Sequence, residues 1–236
     1  MRIERFDIID STNKYLREKK DIQEKDVAIA VAQSEGRGRR GNRWTSEEGA
    51  ALFSFALKYT SEIKEEDYSK LSLVVGYSLL KSLKEIENLD YKFKWTNDLY
   101  LRDKKLSGIL IEKVNDFYII GIGININNCN LENVENIATS LKKETAKNYN
   151  IEKIILKVID DFFINFEKFK NGNWKEILFE INCVNYLFGK RIDIVGLNEE
   201  VSGIAGDIMA DGMLEVFIGK EIRRYNVGEI HISKSN

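Results

Sequence analysis

The residues with the most evident chemistry lie in one short segment, residues 36–46, which contains four arginines, three glycines and a tryptophan. Guanidinium groups bind phosphate and carboxylate oxygens through paired hydrogen bonds, glycine lets the main chain approach a ligand closely, and an aromatic ring can stack on a nucleobase. The segment falls between two apolar, strand-like runs, residues 27–32 and 50–57. We expect a mobile loop that closes over an anion; the alternatives are a solvated basic loop and an Arg/Gly segment that binds RNA.

Uncharged hydrogen-bonding residues precede this loop at two places. Ser11, Thr12 and Asn13 follow an alternating run and stand where a short helix should begin. Any of the three could cap that helix, and together they could also bind a small polar ligand group. Gln33 ends the small apolar run 27–32, which is typical of a strand buried on both faces. Its side-chain amide can donate to and accept from an uncharged polar ligand.

Residues 91–126 alternate apolar and polar positions between tight polar turns, and this pattern predicts an antiparallel meander. Buried polar groups need hydrogen-bond partners, so polar residues inside these strands either satisfy one another or are completed by a ligand. The glycines of segment 121–123 lack the spacing of a dinucleotide-binding fingerprint, and would instead allow a ligand or another strand to come close. The polar residues that interrupt the apolar pattern are Asn97, Asp98, Lys105 and Asn125.

The elements that must position these residues can be read from the hydrophobic pattern. Residues 67–87 and 151–169 carry apolar side chains at helical spacing, and a further helix is expected near residues 174–182. From residue 187 the pattern changes to short strands separated by glycines, which is typical of a small β-barrel. We place a domain boundary close to residue 186.

Composition excludes several classes of function. The net charge of −2 argues against general nucleic-acid binding, because the positive charge is concentrated in one loop. The sequence contains a single histidine, His231, so we expect neither histidine-dependent nucleophilic catalysis nor a histidine metal cluster. Cys129 and Cys183 lack metal-like spacing and read as buried thiols. The sequence has neither a secretion-signal pattern nor an apolar run of about 18 residues, so we expect a cytoplasmic protein.

Taken together, these motifs resemble the biotin protein ligase family. The resemblance covers nearly the whole chain and implies an α+β fold. Residues 1–186 would form a catalytic domain similar to class II aminoacyl-tRNA synthetases, with a mixed or antiparallel sheet, and residues 187–236 a small SH3-like β-barrel. The motifs that carry the resemblance, in the family's order, are Ser11-Thr12-Asn13, then Gln33 with residues 36–44, then residues 94–98 with 105–112, then residues 121–125.

The resemblance implies an ATP-dependent reaction in two steps. Biotin and MgATP would give biotinyl-5′-AMP and pyrophosphate, and a lysine of a biotin carboxyl carrier domain would then receive the biotinyl group. Biotin, ATP and Mg²⁺ are therefore the expected ligands, with no metal held by the protein alone. Some members carry an N-terminal winged helix; the Ser-Thr-Asn motif begins at residue 11, so we expect no DNA-binding arm and no membrane partner. A homodimer is left open.

The family's pattern also implies roles for individual residues. Arg39 and Lys105 would neutralise the charge that develops during the reaction, and Trp44 would stack on the adenine. Asp98 is the only carboxylate in these motifs placed to assist the acceptor lysine. Biotin would be bound by Ser11, Thr12, Asn13, Gln33, Arg37, Gly38, Arg39, Lys105 and Gly108, and ATP or the adenylate by Arg40, Arg43, Trp44, Asn97 and Asn125.

Two other functions compete with this interpretation. A lipoate or octanoyl ligase-like enzyme would share the architecture, but the Arg/Gly loop and residues 105–112 favour biotin. A non-catalytic module that binds RNA through the loop is disfavoured by the acidic charge balance. The chain departs from the family at Thr96, where proline is common, and near residues 228–234, where no basic residue can be matched to one that members supply toward ATP.

Overall fold

The protein is described by a computed structural model that covers residues 1–44, 48–61, 63–129, 137–195, 200–226 and 229–232. Its helices are α1 (Thr12–Glu18), α2 (Leu71–Ile86), α3 (Leu141–Thr145), α4 (Ile151–Lys170) and α5 (Trp174–Cys183), with short 3₁₀ turns at Arg39–Gly41 and Glu65–Lys70. The first sheet is built from β1 (Arg2–Ile9), β2 (Asp26–Gln33), β3 (Ala50–Lys58), β4 (Tyr91–Lys94), β5 (Asp98–Leu101), β6 (Lys104–Val114) and β7 (Phe117–Asn125). The second is built from β8 (Arg191–Val195), β9 (Glu200–Ile208), β10 (Leu214–Ile218), β11 (Glu221–Tyr225) and β12 (Glu229–Ile232).

The first sheet is mixed, with the strand order β1-β2-β3-β7-β6-β5-β4. Only β1 and β2 run parallel; the other neighbours are antiparallel, and β4 to β7 form the meander expected from the alternating pattern. This arrangement confirms the α+β class with a mixed sheet.

The two faces of the sheet are packed by side chains of different size. On β3, Phe55 packs against Phe162 of α4, with ring centroids 5.0 Å apart. The alternate residue Ala56 joins Leu16 of α1 and Ala28 of β2 in a second apolar cluster. Because side chains alternate across a strand, β3 presents large rings to α4 and small residues to α1. The short side chains of β2 and β3 thus let α1 lie close to the sheet, and the residues at its N-terminus reach the strands beneath.

Helix α2 begins later than the pattern indicated. The apolar spacing predicted a helix over residues 67–87, whereas α2 starts at Leu71 and residues 65–70 form a 3₁₀ turn. Tyr68 is buried within that turn and its hydroxyl group bonds the main chain of Thr60. Periodicity reports burial but does not separate a 3₁₀ turn from an α-helical one, since both return a side chain to one face.

The second sheet is antiparallel, with the strand order β11-β10-β9-β8-β12. It is consistent with the expected SH3-like unit, although the described strands form an open row rather than a closed barrel. Polar side chains attach it to the first unit: Trp95 Nε1 donates to Gly212 O at 2.9 Å, and Trp174 Nε1 donates to Ala210 O at 2.7 Å. The expected boundary at residue 186 falls between α5 and β8 and stays a prediction.

None of the described helices combines the length and apolar character that a membrane span requires.

Candidate active site

A cavity of about 280 Å³ opens where α1 begins, where β2 ends and where the turn between β4 and β5 meets strands β6 and β7. The Arg/Gly loop covers one side of it, and Ile230 of the second sheet reaches its wall. A concave pocket with a few converging polar groups is the usual form of a ligand site. The lining residues that the sequence singled out are Ser11, Thr12, Asn13, Gln33, Arg37, Gly38, Arg39, Arg43, Trp44, Asn97, Asp98, Lys105 and Gly108.

Uncharged hydrogen-bonding groups from α1 and β2 form one end of the cavity. Ser11 is the N-cap of α1 and accepts from Lys14 N at 3.4 Å, so it serves as a helix cap and also lines the cavity. Gln33 Oε1 accepts from Thr12 N at 2.7 Å, which fixes the end of β2 against the start of α1. Thr12 and Asn13 are both buried. A ligand bound here must satisfy neutral donors and acceptors rather than charges.

Asn13 requires a glycine on the neighbouring strand. A Cβ atom at Gly121 would collide with the side-chain amide of Asn13, so only glycine fits there. Asn13 Nδ2 donates to Glu112 Oε2 at 2.8 Å, and Asn13 Oδ1 accepts from Ser54 Oγ at 2.6 Å. The sequence analysis did not assign roles to Ser54 and Glu112. Their involvement depends on contacts between residues about 40 and 100 positions apart, which no local pattern reveals.

The Arg/Gly loop folds back on itself above the cavity. Gly38 N donates to Asn42 O at 2.6 Å, and Trp44 N donates to Gly36 O at 3.0 Å. Arg39 Nη1 donates to Asn97 Oδ1 at 3.0 Å and also to Thr96 Oγ1, so the guanidinium group is directed at the turn between β4 and β5. The loop and the meander therefore meet at the cavity.

The indole ring of Trp44 lies over two glycines on adjacent strands. Gly108 of β6 and Gly123 of β7 are paired in register. A Cβ atom at Gly123 would collide with the Trp44 ring, and one at Gly108 would lie 3.0 Å from it. Both positions require glycine because the ring packs directly on the strand backbone. The ring occupies a flat shelf beside the cationic part of the cavity, where a planar ligand could stack on it.

Lys105 and Asp98 form an ion pair inside the cavity, with Lys105 Nζ 2.8 Å from Asp98 Oδ1. Among the described residues that line the cavity, Asp98 is the only carboxylate, whereas five side chains are cationic. The excess of positive charge suits a polyanion such as a nucleoside triphosphate. The cationic lining residues are Arg37, Arg39, Arg43, Lys94 and Lys105.

Lys94 is a cation that the sequence analysis quoted within a motif but did not assign to the site. Its ammonium group lies 3.4 Å from the hydroxyl group of Tyr100 and 5.3 Å from the centre of that ring. Burial, with a smaller contribution from Asp98, raises the pKa of Tyr100, and burial raises the pKa of Tyr186, which stacks on it, to about 12. Both phenols therefore stay neutral near pH 7, and the ammonium group of Lys94 lies beside a neutral hydroxyl group in the lining of the cavity.

Two expected site residues lie elsewhere or outside what can be described. Asn125 is buried at the end of β7, does not line the cavity, and accepts from Asn128 Nδ2 at 3.0 Å. The side chain of Arg40 lies outside the described residues. Lining residues that the sequence analysis left without a role, besides Lys94, are Asn42, Phe53, Trp95, Thr96, Ile109, Leu110, Gly121, Ile122, Gly123 and Ile230.

Comparison with known proteins gives the same result at three levels. Residues 5–127 match the model of the biotin/lipoate A/B protein ligase family. The chain is 30% identical over 232 residues to the bifunctional ligase/repressor BirA of Escherichia coli strain K12, covering 95% of this chain and 72% of that protein. It is 26% identical over 208 residues to the biotin–acetyl-CoA-carboxylase ligase of Mycobacterium tuberculosis, covering 86% of this chain and 77% of that one.

Among solved structures, the biotin protein ligase of Aquifex aeolicus in complex with biotin and ATP superposes with a TM-score of 0.90 and 31% identity, covering 99% of both chains. The similarity therefore extends over both sheets and not only over the residues that form the cavity.

Proposed function

The chain belongs to the biotin/lipoate A/B protein ligase family, and on that premise we propose that it is an ATP-dependent biotin–protein ligase. It activates biotin as biotinyl-5′-AMP and transfers the biotinyl group to a protein. A relative that matches 86% of this chain is named as a biotin–acetyl-CoA-carboxylase ligase, and a similar solved structure is a biotin protein ligase in complex with biotin and ATP.

The observation that carries the proposal is the convergence of Arg39 and Lys105 on one cavity whose other end is uncharged. Biotin has an ionised carboxylate at one end and a neutral ureido ring at the other. The uncharged groups of Ser11, Thr12, Asn13 and Gln33 suit the ureido ring, and the cationic end suits the carboxylate and the phosphates. A pocket that served only a polyanion would not need the neutral end.

In the first step the biotin carboxylate attacks the α-phosphorus of ATP. A bond forms between a carboxylate oxygen and phosphorus, the bond to the bridging oxygen breaks, and pyrophosphate leaves. The carboxylate is already ionised at neutral pH, so no general base is needed. The barrier comes from bringing two anions together, and fixed cations at the reacting centre lower it. Arg39 and Lys105 supply that charge, and Trp44 stacks on the adenine.

Mg²⁺ is expected to arrive with the phosphates of ATP. Among the described residues no cluster of three or more His, Cys, Asp or Glu side chains could hold a metal ion. Asp98, the one carboxylate of the lining, is paired with Lys105. This donor set fits an ion bound mainly by phosphate oxygens, which is how magnesium is commonly held in nucleotide sites. When bound, the ion would help the pyrophosphate to leave.

In the second step the amine of an acceptor lysine attacks the carbonyl carbon of biotinyl-AMP, an amide forms and AMP leaves. The acceptor lysine belongs to the biotin carboxyl carrier domain of a biotin-dependent carboxylase, in keeping with the relative named as a biotin–acetyl-CoA-carboxylase ligase. The amine must lose a proton, and Asp98 is the lining carboxylate that can accept it. Lys105 Nζ lies 2.8 Å from Asp98 Oδ1, and a turn of Lys105 toward the adenylate would leave that oxygen free to accept the proton.

A test with two substrates distinguishes this function from lipoate ligation. The wild-type protein should catalyse exchange of labelled pyrophosphate into ATP when biotin is present, and should then biotinylate a carrier domain. Lipoate at the same concentration should support neither reaction, because a dithiolane ring cannot satisfy the neutral donors and acceptors. Exchange that depends on lipoate, or on no acid at all, would overturn the proposal.

A further inference from the structure

Ser54 connects two residues of the cavity from below without reaching the cavity itself. It lies in the middle of β3 and is fully buried. Its Oγ atom lies 2.7 Å from Thr12 Oγ1 and donates to Asn13 Oδ1 at 2.6 Å. Because a hydroxyl group has one proton, the partner that receives the proton of Ser54 determines what Thr12 can do.

The direction of this chain is set at Glu112. A carboxylate only accepts hydrogen bonds. Glu112 Oε1 accepts from Arg17 Nη1 at 3.0 Å, and Glu112 Oε2 accepts from Asn13 Nδ2 at 2.8 Å. The Leu110 carbonyl, also an acceptor, lies 3.5 Å from the same Nδ2 atom. The amide group of Asn13 is therefore held in one orientation, with its nitrogen toward Glu112 and its oxygen toward Ser54.

The fixed amide then determines the next two protons. Asn13 Oδ1 cannot donate, so Ser54 must give it the hydroxyl proton. Ser54 Oγ is then an acceptor for Thr12 Oγ1. The second polar atom near the Thr12 hydroxyl group is Gln33 Oε1, at 3.2 Å, which accepts from Thr12 N and is also an acceptor. Both partners draw the Thr12 proton into the protein, and Thr12 Oγ1 presents only lone pairs to the cavity.

Gln33 is oriented by the same logic. Its Oε1 atom is held by the main-chain N–H of Thr12 at 2.7 Å. This leaves Nε2, which can only donate, to serve the cavity that Gln33 lines. The neutral end of the cavity thus has a defined polarity, with an acceptor at Thr12 and a donor at Gln33.

We infer that the chain Glu112–Asn13–Ser54 makes Thr12 an obligate acceptor, and so selects a ligand ring that carries an N–H group at that position and rejects one with an oxygen there. The inference rests on the proposed function, because the ring it describes is the ureido ring of biotin. It adds Ser54 and Glu112 as positioning residues that determine specificity without contacting the ligand. A ring oxygen facing Thr12 would leave two sets of lone pairs in contact, which a buried site penalises strongly.

The test compares biotin with its two cyclic carbamate analogues, in each of which one ureido N–H is replaced by oxygen. Calorimetric titration of the wild-type protein should show that biotin binds about 100-fold more tightly than one of the two analogues. Glu112→Gln introduces an amide that can donate to Asn13, so Asn13 can invert and Ser54 can then donate to Thr12. Only Gln33 Oε1, at 3.2 Å, still competes with the ligand for the Thr12 proton. Ser54→Ala removes the nearer of the two acceptors for that proton. In both variants the preference for biotin over that analogue should fall by about tenfold or more.

Two matched control variants distinguish a change in hydrogen-bond polarity at Thr12 from a general loss of order in the cavity. Arg17→Gln removes the partner of Glu112 but keeps the carboxylate, so Asn13 should stay oriented and the preference should stay at the wild-type ratio. Ser107→Ala removes an equally buried hydroxyl group of the same sheet, which donates to the Gly123 carbonyl at 2.7 Å and does not touch Asn13. Its preference should also stay at the wild-type ratio, even if both ligands bind more weakly.

The outcomes are distinct. A wild-type ratio in Glu112→Gln and Ser54→Ala, with parallel losses for both ligands, would overturn the inference and leave the proposed function standing. If the preference for biotin over the analogue falls by the same factor in the two control variants, the inference is also overturned, because the loss of preference would then come from a general change in structure. Failure of the wild-type protein to bind biotin would overturn the proposed function and the inference together.

Discussion

Arg39 Nη1 lies 3.0 Å from Asn97 Oδ1, which joins the tip of the Arg/Gly loop to the turn between β4 and β5. The two residues are far apart in sequence, and the function of each residue's motif cannot be assigned from that motif by itself. Both of these contacts, to Thr96 and to Asn97, are to neutral oxygens, which bind a guanidinium group less strongly than phosphate oxygens do. The loop can therefore rest over the cavity before nucleotide arrives and exchange these contacts for phosphate oxygens afterwards.

Arg39→Ala should weaken retention of biotinyl-AMP. The variant loses a charge-assisted contact to the adenylate and also the contacts that hold the loop closed, so water reaches the mixed anhydride. We expect release of free biotinyl-AMP to rise by about tenfold or more. Filter binding together with chromatography of released adenylate measures it. Unchanged retention and leakage would show that the loop does not close through Arg39.

Gly123→Ala should impair use of ATP. The new methyl group would collide with the Trp44 ring and displace it from the shelf formed by Gly108 and Gly123. We expect the KM for ATP to rise by about tenfold, since base stacking on an aromatic ring contributes roughly 1–3 kcal/mol. In Trp44→Ala the KM should rise by a similar factor, and adding Gly123→Ala to that variant should cause little further loss. If the two substitutions raise the KM for ATP independently, so that their factors multiply in the double variant, the two effects do not both come from displacing the Trp44 ring.

Trp95→Phe should separate the stabilising role of the second sheet from its influence on the site. Trp95 lines the cavity, donates to Gly212 O in the turn between β9 and β10, and precedes the two residues that contact Arg39. Loss of the hydrogen bond should cost about 1–2 kcal/mol of unfolding free energy and raise the KM for ATP. Trp174→Phe is the matched control, because Trp174 bonds Ala210 O in the same turn but does not line the cavity.

Chemical denaturation and steady-state kinetics on both tryptophan variants provide the comparison. Similar losses of stability with a raised KM only for Trp95→Phe are expected. If the KM for ATP changes equally in both, the second sheet acts only through overall stability.

Asp26 should make stability depend on pH at the acid end. Burial alone would raise the pKa of Asp26, but hydrogen bonds from Arg2 and from Gln23 N outweigh it, and the pKa is lowered in the folded protein. A lowered folded-state pKa contributes stability above the unfolded value, about 3.9, which is lost as pH falls through the folded value. Asp26→Asn should cost about 2 kcal/mol at pH 7, less than a fully buried pair, because Arg2 is 42% exposed.

Urea denaturation between pH 3 and pH 7 measures this dependence, with the activity at pH 7 as the control. The wild-type protein should lose stability toward acid more steeply than Asp26→Asn, while biotinyl-AMP formation at pH 7 should be alike because Asp26 lies away from the cavity. Parallel stability profiles would show that Asp26 does not titrate in this range.

The meander and the buried strand β2 followed from local patterns, because strand alternation and the small residues of β2 record which faces are buried, whereas the mixed sheet was implied by the resemblance to a family. The Arg/Gly loop, Lys105 and the neutral triplet could be grouped only through the resemblance to a family, since nothing local places Thr12 beside Gln33. Ser54 could not be predicted as a site residue for a related reason, because within β3 it is one of several small residues of a buried strand. Glu112 closes the family motif 105–112, but its sequence position near a strand end does not indicate that it contacts Asn13.

Asn125 shows the opposite case. It stands at the end of an apolar strand within a family motif, which favoured a ligand contact, yet its side-chain oxygen accepts from Asn128 and does not line the cavity. Burial of a polar residue indicates that it has a partner but does not say which one. Ile230 could not have been foreseen either, because the docking of the second sheet brings it to the wall.

In the proposed function, Arg39 and Lys105 act together on one reacting centre. Single-turnover formation of biotinyl-AMP in the wild-type protein, Arg39→Ala, Lys105→Met and the double variant tests it as a double-mutant cycle. Each single variant should be slower by about 100-fold or more, and the double variant should be much faster than the product of the two losses predicts. Fully multiplicative losses, or a single variant with the wild-type rate, would contradict convergence on one centre.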